Sequence, residues 1–239
     1  MSQQPRNASF ITLEGPEGSG KSTQMERLRK ALEDRGVAVL ATREPGGVPV
    51  AERIREVVLH EPLAPRAEAL LFLAARAQHV EEVIRPALQA GKVVLCDRFH
   101  DSTLAYQGYG LGLDLEELRR ICLFASDGLQ PDLTLLLDVP VKVGLKRRGA
   151  WMNQPHLALG LAAAPGRETI TRIDNRPIEF HERVRAGFLA EARRDPRRVR
   201  ILNANRSPEA VHAEVCQLVL EVLGLTSRPR RDAQARGGR

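Results

Sequence analysis

Apolar residues along this chain fall into two alternating patterns, short unbroken runs and longer stretches with helical spacing. The runs are Phe10–Leu13, Val37–Ala41, Val93–Cys96, Leu133–Leu137 and Val199–Leu202. Their brevity and continuous apolar character predict strands buried on both faces. Between them, apolar positions recur every three or four residues in Lys21–Arg35, Val50–Leu59, Arg66–Leu88, Leu115–Phe124, Val141–Arg148, Glu179–Arg194 and Pro208–Leu223, which predicts helices. Ser102–Gln107 is expected to be a short helix broken by the glycines at 108, 110 and 112. Pro86 predicts a kink or early stop in the last turn of the third helix. Strands alternating with helices predict an α/β fold, a doubly wound five-stranded parallel sheet.

Two segments fit neither pattern. Trp151–Gly166, rich in Ala, Leu, Gly and Pro, reads as an insertion in a mobile loop. Gly224–Arg239 reads as a tail without fixed structure. The expected layout is one domain over 1–223, with a lid at about 147–174, and a basic tail over 224–239.

Charge changes this picture little. The formal net charge is +6, but the tail's five arginines against Asp232 account for +4 of it. No basic stripe interleaved with aromatics remains, so nucleic acid is not an expected partner. Only five of the 36 basic residues are lysines, which makes a lone arginine weak as a signal and Lys21 a strong one. Cys96, Cys122 and Cys216 offer neither a disulfide framework nor metal-ligand spacing, and suit a reducing cytoplasm. Met1–Asn7 is polar, and no apolar run approaches membrane-spanning length, so a cytoplasmic protein without membrane contact is expected.

The chemistry is concentrated in Gly15–Ser22, which fits G-x-x-x-x-G-K-[ST] between the first strand and the first helix. Gly15, Pro16, Glu17, Gly18, Ser19, Gly20, Lys21, Ser22 and Thr23 are the expected nucleoside-triphosphate site. Backbone N–H groups there surround phosphates, Lys21 reaches them, and Ser22 holds Mg²⁺. Asp97 follows an apolar strand as a metal-associated carboxylate does, and Arg98 beside it suits an acceptor phosphate; the pair also reads as a structural ion pair. Phe72 with Arg76, Ser102 with Tyr106, and Thr103 with Gln107 each share a helix face. For Phe72, position alone favours core packing over base stacking. His79, His100 and His181 lack ligand spacing and read as surface or capping residues.

Taken together, EGPEGSGKST, TREPGG, LFLAAR, DRF, STLAYQG, PDLTLLLDV and FHERVRAGF resemble, in this order, the thymidylate kinase family of P-loop nucleoside-monophosphate kinases. The resemblance implies transfer of the γ-phosphoryl of MgATP to dTMP, and a homodimer. It implies that Phe72 stacks on thymine, with Arg76, Thr103 and Gln107 at the base and Tyr106 against the sugar. Arg43 and Arg98 would hold the acceptor phosphate, with Ser102 alongside. Glu17 and Asp97 would stand near Mg²⁺ and the reacting phosphates, giving a metal set of Ser22, Glu17 and Asp97. The catalytic set is Lys21, Glu17, Asp97, Arg98 and Arg172.

Two departures from the family pattern concern the lid. The phosphate loop has no basic residue at Pro16, Gly18 or Ser19, so Arg147, Arg148, Arg167 and Arg172 are the candidates for stabilising charge. Counting back from Phe180, Thr171-Arg172-Ile173-Asp174 replaces the family's D-R-[IF]-E, which marks Arg172 as the expected lid arginine. Rival readings are a kinase for another monophosphate or a deoxynucleoside, a nucleotide switch or nucleic-acid-binding module using the basic tail, and an impaired homologue. The absence of N-K-x-D argues against a GTPase switch.

Overall fold

The computed structural model describes residues 8–152 and 171–225. Five strands, β1 (Ser9–Glu14), β2 (Val39–Arg43), β3 (Val93–Asp97), β4 (Leu133–Asp138) and β5 (Val199–Asn203), form one sheet of order β2-β3-β1-β4-β5. Every neighbouring pair is parallel. The helices are α1 (Lys21–Glu33), α2 (Pro49–His60), α3 (Pro65–His79), α4 (Arg85–Gln89), α5 (His100–Thr103), α6 (Leu115–Ala125), α7 (Val141–Met152), α8 (Ile178–Arg194) and α9 (Pro208–Val222). Among the described residues no helix is long and apolar enough to cross a membrane.

The strand period of two sorts side chains between the faces of the sheet. Ile11, Leu13, Leu95 and Leu135 pack against Met25 and Leu28 of α1 and Val215 and Val219 of α9. Phe10, Val94 and Cys96 point the other way, onto Val80, Ile84 and Phe99. Leu136 meets Tyr106, Phe180 and Val184 on the side of α8. Truncating any of these fully buried leucines to alanine is worth about 2–5 kcal/mol. The sheet is thus a rigid platform whose carboxyl edge carries Glu14, Arg43 and Asp97, with Arg43 and Asp97 in register.

Four local expectations need correction. β2 starts at Val39, because the Val37 N–H donates to Leu32 O and closes the end of α1. The irregularity in the third helix is not at Pro86 but one turn earlier, in a π-helical turn Val80–Ile84 where Arg85 N–H bonds Val80 O. Proline crowds the carbonyl four residues before it, and the wider turn relieves this. The helix after β3 is not broken at Gly108; α5 continues as a π-helical stretch Leu104–Gly110. The glycines permit packing instead: a Cβ at Gly108 would sit 2.4 Å from Leu115, and one at Gly110 2.6 Å from Phe180. Finally, α7 runs through Gly149 to Met152, since a helical glycine costs only about 1 kcal/mol. Residues 153–170, with Arg167 and most of the expected lid, and residues 226–239 of the expected tail lie outside the described residues.

Candidate active site

The loop between β1 and α1 turns tightly through Gly15, Gly18 and Gly20, all at positive φ. Gly18 also meets Gly144 of α7: a Cβ on Gly18 would lie 2.0 Å from Gly144 O, and one on Gly144 2.2 Å from Glu17 O. The loop is therefore clamped between α1 and α7. Lys21 Nζ donates to Gly15 O at 2.9 Å, Pro16 O at 3.1 Å and Ser19 Oγ at 3.4 Å. Burial and the neighbouring Arg98 guanidinium pull the Lys21 pKa down to about 8.

Beside the loop, the chain leaving β3 places Arg98 in the left-handed region at φ 73, a conformation that costs a non-glycine residue of order 1–3 kcal/mol. Three bonds enforce it. Arg98 N–H donates to Leu13 O at 3.0 Å, Phe99 N–H to Glu14 Oε1 at 2.7 Å, and Ser102 Oγ to Glu14 Oε2 at 2.6 Å. The result aims the Arg98 guanidinium across the strand ends, 4.9 Å from the Tyr106 ring centroid and 3.1 Å from Ser102 Oγ. Glu14 is fully buried; desolvation, helped by Asp101, raises its pKa to about 7.

Glu17 receives the Tyr106 hydroxyl at 2.5 Å and faces His181 Nδ1 at 3.2 Å and Arg98 Nη2 at 3.7 Å. Burial opposes its charge, but His181, Arg98, Tyr106 and Lys21 outweigh burial and hold its pKa near about 2. The three histidines read as surface or capping residues are instead buried, at 0% exposure for His79, 8% for His100 and 1% for His181. His79 ties the Thr42–Gly47 turn to α3, through Thr42 Oγ1 at 2.7 Å and Glu44 Oε1 at 3.3 Å.

All of this opens onto one cavity of about 520 Å³, within the range of small-molecule sites. Of the residues assigned from the sequence, all but Gly15, Pro16 and Arg172 line it. Gly15 and Pro16 act one step back, through the carbonyls that receive Lys21. Eight basic and four acidic side chains line the wall, an excess of positive charge suited to phosphate chains. Phe72 is half-buried on this wall and belongs to none of the core clusters, so core packing does not account for it. Arg43 is held by Glu52 at 2.9 Å. Arg76, 2% exposed, is largely engaged within the protein, donating to Glu44 Oε2 at 2.7 Å and Phe99 O at 2.9 Å.

Arg172 is the clearest departure from expectation. Its Nη2 donates to Glu68 Oε2 at 2.7 Å, because that buried carboxylate requires cationic partners, and Arg172 is not among the residues lining the cavity. The arginines that do line the wall from this side are Arg147 and Arg148; Arg148 contacts both oxygens of Asp174 at 3.3 Å. The sequence pointed to neither Arg55, which lines the cavity, nor Glu68. Glu68, Phe72, Arg76 and His79 recur at helical spacing on otherwise Ala- and Leu-rich α3, a stripe that would have revealed Glu68.

For a divalent metal, the residues present are suitable. Ser22 Oγ lies 3.4 Å from Asp97 Oδ2, and Asp97 Oδ1 is buried without a hydrogen-bond partner, as a carboxylate oxygen meant for another ligand would be. Glu17 is engaged by Tyr106, His181 and Arg98.

Comparison with known proteins agrees with this geometry. The family model for thymidylate kinase matches residues 13–215. The chain is 53% identical over 215 residues to a thymidylate kinase of Thermomicrobium roseum, covering 90% of this chain and 95% of that one. It is 51% identical to one of Desulfovibrio desulfuricans, covering 89% and 94%. Among solved structures, the thymidylate kinase of Ehrlichia chaffeensis superposes with a TM-score of 0.67 at 32% identity, over 89% of this chain and 98% of that one. With its P-loop, its five parallel strands and an arginine-lined cavity at their carboxyl ends, this chain belongs to the thymidylate kinase family.

Proposed function

We propose that this protein transfers the γ-phosphoryl group of MgATP to dTMP, giving ADP and dTDP. The observation that carries this reading is a single cavity holding both a phosphate loop and, with it, Arg98, Phe72 and Gln107. An oxygen of the dTMP phosphate attacks the γ-phosphorus, and the bond from that phosphorus to the β–γ bridging oxygen breaks. Such a transfer needs little covalent help from the protein, so positioning and charge neutralisation carry the catalysis.

In this reading Lys21 and the loop N–H groups hold the donor's phosphates, while Arg43 and Arg98 hold the acceptor phosphate in line. Phe72 stacks on the base, and Tyr106, fixed by Glu17, borders the sugar. Ser22 and Asp97 would hold the Mg²⁺ that arrives with ATP, which would supply charge neutralisation for the transfer. Arg148, the wall arginine nearest in role to the expected lid residue, faces the transferred group. The paired helices α3 and α6 expose Leu70 and Phe124, at 61% and 86%, which supports assembly as a homodimer through that face. Three cysteines without disulfide partners fit a cytoplasmic setting.

The test is a coupled ADP-release assay with a panel of acceptors: dTMP, dUMP, dCMP, dGMP and thymidine. The proposal expects the highest kcat/KM with dTMP. A preference for thymidine or for a purine monophosphate would overturn it.

A further inference from the structure

Glu68 lies in α3 at 1% exposure, and its two oxygens are used differently. Oε2 accepts from Arg172 Nη2 at 2.7 Å and from Arg176 Nη2 at 2.8 Å. Oε1 accepts from Gln107 Nε2 at 2.8 Å. Two guanidinium groups supply the countercharge that a carboxylate at this depth requires.

A carboxylate offers only acceptors, whereas an amide has a donor end and an acceptor end. Next to Glu68, the Gln107 amide therefore has one permitted orientation, with its nitrogen toward Glu68. Its Oε1 is turned the other way, no described residue donates to it, and Gln107 lines the cavity near Phe72 and Thr103.

We propose that Glu68 is a positioning residue that fixes Gln107 as a hydrogen-bond acceptor toward the acceptor's base, and so selects a pyrimidine whose N3 carries a hydrogen. The proposal rests on the cavity being the dTMP site. Thymine presents N3–H to the fixed Oε1. A cytosine-type ring presents an N3 lone pair, which sets acceptor against acceptor in a buried site and leaves both unpaired. With an amide free to turn, the nitrogen would serve cytosine as well as the oxygen serves thymine. Discrimination therefore comes from the carboxylate behind the amide.

The experiment compares kcat/KM for dTMP and for 5-methyl-dCMP, which differ only along the edge at ring positions 3 and 4, in wild type, E68Q and E68D. In E68Q the new amide can donate or accept, Gln107 is released, and the ratio of dTMP to 5-methyl-dCMP use falls by about tenfold or more. E68D keeps an acceptor-only partner, so its ratio stays within about threefold of wild type even where KM rises. If E68Q does not fold, E68Q/R176M, which also removes one stranded cation, carries the same comparison. A wild type active on dTMP with an unchanged E68Q ratio overturns the proposal alone. So does an E68D ratio that falls as far as that of E68Q, since a merely structural role then explains both. A wild type that phosphorylates neither nucleotide overturns the dTMP reading, and the proposal with it.

Discussion

Glu14 accepts the backbone N–H of Phe99 at 2.7 Å, and this bond closes the turn in which Arg98 is held left-handed. A residue at the end of the central strand thus sets the conformation of one at the end of its neighbour, 84 positions later in the sequence. Backbone strain at Arg98 is the consequence, and its guanidinium is aimed into the cavity as a result.

Strain and chemistry at Arg98 are separable by substitution. Glycine tolerates φ 73 where alanine does not, so R98G is expected to be more stable than R98A by about 1 kcal/mol in urea unfolding. Both lose the phosphate ligand, and kcat/KM for dTMP is expected to fall by about 10² or more in each. Equal stabilities would remove the strain argument; retained activity would remove the ligand role.

Stability should also report the buried Glu14 carboxyl. Its pKa of about 7 in the folded chain lies above the ordinary value of 4.5, so between those values the folded chain binds more protons than the unfolded one. Its contribution is then fully present below 4.5 and is lost as pH rises through 7, with a slope of at most about 1.4 kcal/mol per pH unit. E14Q reproduces the protonated form and lacks this loss. Its stability relative to wild type is expected to improve from pH 5 to pH 8, measured by thermal melts; a constant difference would show that Glu14 does not titrate there.

Arg148 lines the cavity whereas Arg172, the expected lid arginine, is bonded to Glu68, and the two are expected to behave differently when removed. R148A is expected to lower kcat by about tenfold or more with a smaller change in KM for dTMP, as removal of a group acting on the transferred phosphoryl does. R172A removes a partner of Glu68 and is expected to act chiefly on KM for dTMP. Pre-steady-state measurement of the transfer step in each variant distinguishes them, and a larger kcat loss in R172A would restore the original assignment.

The exposed Phe124 on α6 gives a direct handle on assembly. F124D is expected to halve the molecular mass seen in size-exclusion chromatography with light scattering, because a charge at 86% exposure harms only a buried interface. An unchanged mass, whether monomeric or dimeric, would show that this face is not the contact.

Much of this was legible in the sequence, for identifiable reasons. The apolar runs located the five strands, because a parallel sheet covered on both faces has no other way to be built. The phosphate loop was legible because its glycines and lysine meet a local requirement, and it was the resemblance rather than helical spacing that pointed Phe72 away from the core and toward the cavity it lines. What stayed hidden depends on distant partners. Nothing near Arg172 in the chain points to Glu68, 104 residues away, and nothing near His181 points to Glu17, 164 away. The glycines at 108 and 110 look like helix breakers because the sequence does not show Leu115 and Phe180 pressed against them. The left-handed turn at Arg98 was likewise unreadable, since it is imposed by Glu14 rather than chosen by arginine.

The most direct measurement is identification of the products by ³¹P NMR when the purified protein is given magnesium, ATP and dTMP together. Equal amounts of dTDP and ADP are expected, with K21A slower by about 10²–10³ at unchanged circular dichroism. ADP and inorganic phosphate without dTDP, or a K21A rate equal to wild type, would contradict the account.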